Sequence, residues 1–111
     1  MMQIFARHLD KITIFDVSGD IDLANSPELR KALLRELREL RMPRVVLNLQ
    51  AVRYMDSSGV ASLVEGLRAS RDVGSRLVLC GLNNKVNDVL RISRLGTIFE
   101  VCDNEEQALA S

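Results

Sequence analysis

The sequence predicts an α/β domain with a mostly parallel sheet of four to five strands, opened by an N-terminal hairpin and carrying about four helices. Three observations lead there. Strand-like apolar runs alternate with segments of helical periodicity along most of the chain, the pattern of a mostly parallel sheet with right-handed crossovers. Two short runs at the start, residues 3–7 and 11–18, flank Leu9 and Asp10 and read as the hairpin. Over 111 residues, 47% are hydrophobic and 27% charged, far from the composition of a disordered chain, so residues 1–111 are expected to form one folded domain.

The elements follow in order. In the second run Ile12, Ile14, Phe15 and Val17 keep close to a period of two. Ser26-Pro27-Glu28 then signals a helix start: a hydroxyl to cap, a proline whose missing N–H is no loss in the first turn, and a carboxylate near the positive dipole end. The helix is predicted over residues 27–41, with Leu29, Ala32, Leu33, Leu37 and Leu40 on one side, and Pro43 ends it. Residues 44–49 read as a buried parallel strand and residues 50–56 as a loop. A second helix starts near Ser57, since Val60, Leu63, Val64 and Leu67 follow the i, i+3, i+4, i+7 spacing. Residues 76–80 form a strand, Asn84 caps a helix that ends at Gly96, and residues 98–102 form the last strand. A short final helix opens at Asp103, with a carboxylate cap and Glu106 three residues on.

Composition narrows the function classes. Fifteen basic residues balance fifteen acidic ones and aromatics make up 4%, which argues against nucleic acid as a partner. The six cations between Arg30 and Arg44 read as solvated helix faces. No apolar stretch approaches the length of about eighteen residues that suggests a membrane span, and Met1 to Asp10 lacks the pattern of a secretory leader, so a cytoplasmic protein without membrane contact is expected. Cys80 and Cys102 lack metal-ligand spacing and His8 is the only histidine, so no metal or other cofactor is expected and both thiols read as structural.

Met55-Asp56-Ser57-Ser58-Gly59 carries the most information. It sits where a strand end turns into a helix, beyond the carboxyl edge of the sheet, where α/β proteins collect their sites. A hydroxyl here either caps the helix or carries a phosphate at the positive end of the dipole, and Ser57 and Ser58 both qualify. Gly59 costs a helix about 1 kcal/mol relative to alanine, which implies that another group approaches the backbone closely.

Nearly the whole chain resembles the STAS-domain family, in particular its small bacterial anti-sigma factor antagonists. The likeness rests on Gly19-Asp20-Ile21-Asp22 after the second strand, on Val46-Leu47-Asn48-Leu49 followed by Val52 and Met55, and on Asp56-Ser57-Ser58-Gly59. The stretch from Val89 to Gly96 and the closing Glu105 to Leu109 fit as well. The resemblance implies helices mainly on one face of the sheet and a regulatory protein, not an enzyme. It implies that Ser57 is phosphorylated by a partner that is both anti-sigma factor and serine kinase of the histidine-kinase-like ATPase fold. A metal-dependent serine phosphatase is expected to remove the phosphate, and the unphosphorylated form to bind the anti-sigma factor and free the sigma factor. The expected docking surface comprises Asp20, Asp22, Met55, Asp56, Ser57, Ser58 and Gly59, with the aspartates forming an acidic rim that repels an added phosphate.

Other functions fit less well. A STAS scaffold or transport-complex subunit without a phospho-switch is the main alternative. A receiver-like domain phosphorylated on Asp56 would use Asp20, Asp22 and Lys85, but Lys85 follows the wrong strand. A serine hydrolase lacks a Gly-x-Ser-x-Gly elbow, and its base would have to be Lys85, since His8 lies in the first strand and reads as a structural residue.

Overall fold

The computed structural model describes residues 1–111. Strand β1 (Met2–Leu9) turns through Asp10, which takes a positive φ of 55°, into β2 (Ile12–Ile21), and the two pair antiparallel. Helix α1 (Ser26–Leu34) runs on into a π-helical turn, Arg35–Glu39. Then come β3 (Arg44–Met55), α2 (Ser57–Val73), β4 (Arg76–Cys80) and α3 (Asn84–Ile92). A 3₁₀ turn (Gly96–Ile98), β5 (Glu100–Cys102) and α4 (Glu105–Ala110) close the chain. The sheet order is β1-β2-β3-β4-β5, with every pair after the hairpin parallel.

Alternation along the strands sorts the core onto two faces. Phe15, Val17, Val45, Leu47, Leu49, Leu77 and Leu79 meet Leu29 and Leu33 of α1, Val60, Leu63 and Leu67 of α2, and Val86 and Leu90 of α3. Side chains such as Leu33 and Leu63, fully removed from water, each contribute about 1.5–3 kcal/mol of transfer free energy. Ile14, Val46, Val78 and Cys80 point the other way, onto a small second core closed by Ala108 of α4. Three helices therefore share one face and the last covers part of the other. No helix is long and apolar enough to cross a membrane.

Several boundaries differ from the sequence reading. The hairpin strands and β3 are longer: β2 continues through Gly19, Asp20 and Ile21, and residues 50–55, expected in a loop, extend β3 to Met55. Two bulges explain the second difference. Opposite Val17, β3 carries both Leu49 and Gln50, and between the partners of Gly19 and Asp20 it carries an extra Arg53. Each bulge shifts the inward side chain by one residue. The buried positions thus run Leu49, Val52, Met55 at intervals of three, which hides the strand from a search for alternation.

The caps also differ. The Ser26 side chain does not cap α1; the residue is buried, and Asn25 precedes the helix without a side-chain cap bond. Asn83, not Asn84, caps α3 through Val86 N, and α3 ends at Ile92, short of Gly96. Asn104, not Asp103, caps α4, while Gln107 Oε1 accepts from Asp103 N at 3.1 Å. Strand β5 starts at Glu100 instead of residue 98.

The remaining polar residues fit the sequence reading. His8 Nε2 lies 3.0 Å from Glu36 Oε1, a carboxylate that the π-helical turn carries into the protein, so the histidine is structural. Arg30 pairs with Glu65 and Arg38 with Asp72, both on α2, as expected of charged helix faces. Arg7 bridges Asp16 and Glu105, tying the first strand to the last helix.

Candidate functional site

The ends of β2 and β3 build a platform for the start of α2. Asp56 N donates to Ile21 O at 3.1 Å, so the chain leaves the sheet at a fixed angle. Extended backbone at Asp56 (φ −100°, ψ −174°) makes it the N-cap of α2. Its Oδ1 accepts from Ser58 N at 2.9 Å and Gly59 N at 3.3 Å, and also from the Ser58 hydroxyl. The cap is therefore an aspartate and neither serine. The Ser58 hydroxyl first, and then the amides of Gly59, Ser58 and Leu23, hold the Asp56 carboxyl below the usual carboxylate range against an opposing push from partial burial.

Ser57 occupies the first helical position, exposed and outside this network. The two serines are thus distinguished by the aspartate before them: Ser58 is committed to the cap and Ser57 presents its hydroxyl to solvent.

Gly59 accounts for the close fit beneath. A Cβ at this position would stand 2.5 Å from Met55 Cγ and 2.8 Å from Ile21 Cγ2, so α2 starts directly on those two side chains. Met55 and Gly59, expected from the sequence on an exposed docking surface, are both buried beneath the start of α2.

Asp20 and Asp22 come to the same edge as Asp56, in strand β2 and in the loop after it, but not as a free acidic rim. Asp20 lies 3.3 Å from Arg53, the bulged residue of β3. Asp22 Oδ1 accepts from Ala24 N at 3.0 Å and Asn25 N at 3.2 Å, which shapes the entry to α1. All three carboxylates are engaged locally because each closes a backbone turn or meets a cation. Asp56, spent on the cap, is also a poor phosphate acceptor of the receiver type.

Two exposed side chains that the sequence reading did not single out lie close to the ends of β2 and β3 that lead to this site. Leu23 is 77% exposed, and its amide reaches Asp56; Tyr54, at 51%, stands two residues before Asp56. The available signal was their position next to Asp22 and Met55, immediately beside the two motifs already singled out.

The STAS domain family model matches residues 3–108. The chain belongs to the STAS domain family. Among relatives of this STAS domain, an anti-sigma-B factor antagonist from Listeria monocytogenes is 34% identical over 101 residues, covering 90% of this chain and 86% of the relative. An anti-sigma F factor antagonist from Paenibacillus polymyxa is 28% identical over 108 residues, covering 97% and 92%. The anti-sigma factor antagonist SpoIIAA in its unphosphorylated form superimposes with a TM-score of 0.83 at 20% identity, covering 96% of this chain and 93% of that one. SpoIIAA in the phosphorylated form, a Bacillus cell fate determinant, gives 0.76 at 19% identity, covering 97% of each chain. The mostly parallel sheet and opening hairpin are therefore the STAS fold.

Proposed function

We propose that this STAS domain is an anti-sigma factor antagonist: unphosphorylated, it binds an anti-sigma factor that is also a serine kinase, and the sigma factor is released. The names of the Listeria and Paenibacillus relatives support the regulatory role. One observation carries the switch: Ser57 stands exposed at the head of α2 while Ser58 is held by Asp56. The kinase, of the histidine-kinase-like ATPase fold, transfers the γ-phosphoryl group of ATP to Ser57 Oγ. ADP leaves, and the hydroxyl proton passes to a base on the kinase. A metal-dependent serine phosphatase hydrolyses the phosphoserine with water, releasing inorganic phosphate and returning the free hydroxyl. The protein itself works by binding and catalyses no step, and the cytoplasm, where sigma factors act, is its place of action.

The physics of the switch follows from the cap. A phosphate at a helix start ordinarily gains from the free N–H groups there, worth up to about 1–2 kcal/mol. Asp56 already accepts from the amides of Ser58 and Gly59. The new charge of about −1.5 to −2 therefore stays unneutralised beside an ionised carboxylate and is presented to the partner. Leu23, Tyr54 and Ser57 supply the docking surface, and desolvating a phosphate against Leu23 and Tyr54 opposes binding.

The test is phosphorylation by the cognate kinase with magnesium and ATP, followed by fragment mass spectrometry and titration calorimetry against the same kinase. One phosphoryl group on Ser57 and a large loss of affinity are expected. Modification of Ser58 instead, or unchanged affinity after modification of Ser57, overturns the reading.

A further inference from the structure

The two cysteines, 22 positions apart in the chain, meet at the far side of the sheet. Cys80 ends β4, Cys102 ends β5, and the two are direct partners in the parallel register. Both face the small core under α4, with Ile14, Val46, Val78 and Ala108 around them. Adjacent strands stand about 4.7–4.9 Å apart, inside the range of about 4.4–6.8 Å between the Cα atoms of a disulfide. Both thiols are free.

We propose that Cys80 and Cys102 form a peroxide-sensitive thiol pair that closes reversibly into a disulfide between β4 and β5. Their environments assign the roles. Cys102 is partly exposed and meets the oxidant first; Cys80 is fully buried, and burial, reinforced by Glu105, pushes its thiol up to about 11. The Cys102 thiolate attacks one oxygen of hydrogen peroxide, the O–O bond breaks, and the departing hydroxide takes a proton to become water. Cys102 then carries a sulfenic acid. The Cys80 sulfur attacks the Cys102 sulfur, the S–O bond breaks, and hydroxide leaves with the Cys80 proton as a second water. Two thiols are oxidised by two electrons and the peroxide is reduced to two waters. A thiol reductant reverses the bond.

The bond would staple the loop that contains α3 to the strand ends preceding Gly81, whose amide already donates to Asp103 O at 3.2 Å. The site is separate from Ser57, and its test does not involve the kinase.

The experiment treats the intact folded protein with hydrogen peroxide and follows its mass and free thiols. The wild type is expected to lose two hydrogens and both thiols as a monomer, to regain them with dithiothreitol, and to melt at a higher temperature while oxidised. Cys80→Ser is expected to stop at a sulfenic acid on Cys102, trapped by dimedone; Cys102→Ser is expected to stay reduced. Over-oxidation of Cys102 without loss of the Cys80 thiol, a disulfide-linked dimer, or pairing as rapid in urea as in buffer each overturns the proposal.

Discussion

Asp56 holds Ser58 twice through a single oxygen, accepting from its backbone amide at 2.9 Å and from its hydroxyl. That relationship separates two serines that the sequence leaves equivalent, and it makes the neighbouring Ser57 the hydroxyl free to react.

Ser57→Ala is expected to fold with wild-type stability, bind the anti-sigma factor, and accept no phosphate from its kinase. Ser57→Asp is expected to bind more weakly, by about tenfold or 1.4 kcal/mol, since one carboxylate carries less charge than a phosphate. Calorimetric titration of both variants checks this, and wild-type affinity for Ser57→Asp counts against the charge account.

Asp56→Ala removes the cap of α2 and is expected to cost about 1 kcal/mol. The loss depends on pH. The folded-state pKa of Asp56 lies below its ordinary value of 3.8, so its ionised form contributes stability that is complete above that value and fades as pH falls through the lower folded value. Urea melts of both proteins are expected to differ most near neutral pH and to converge below 3.8. A difference that grows in acid contradicts this assignment.

Gly59→Ala places a methyl group against Met55 Cγ and Ile21 Cγ2. Overpacking of this kind costs about 1–3 kcal/mol, which outweighs or matches the gain of about 1 kcal/mol in helix propensity. Adding Met55→Ala is expected to relieve the clash, so that the cost of Gly59→Ala is smaller in that background than in the wild type. A double-mutant cycle by denaturant unfolding measures the coupling.

Arg7→Ala breaks the bridge from β1 to both Asp16 and Glu105. The groups are part-exposed, so a cost of about 1 kcal/mol is expected, with salt narrowing the difference. Hydrogen exchange in α4 is expected to quicken more than in α2.

The parts of the fold set by local pattern were legible. Residues 76–80 match β4 because a short apolar run sits between turn residues, and the start of α2 follows from its i, i+3, i+4, i+7 spacing. The end of β3 was not, because two bulges replace alternation by a period of three and its support comes from β2, more than thirty residues earlier. The candidate site was legible as a motif but not as an arrangement. Nothing in Asp-Ser-Ser-Gly says which oxygen caps the helix, nor that Asp20 is met by Arg53, a residue that a bulge brings to it.

The strand order of the sheet is also the order of synthesis. Each strand leaving the ribosome finds its neighbour already made, and the sheet grows from one edge without a late insertion between existing strands, although each parallel pairing, Ile12 with Arg44 and Arg44 with Arg76 among them, must first close a long crossover, which is a slow step. Until β5 and α4 emerge, the strip of Ile14, Val46 and Val78 has no cover. The nascent chain is thus most prone to sticking before α4 emerges, and the arrival of Ala108 ends that exposure.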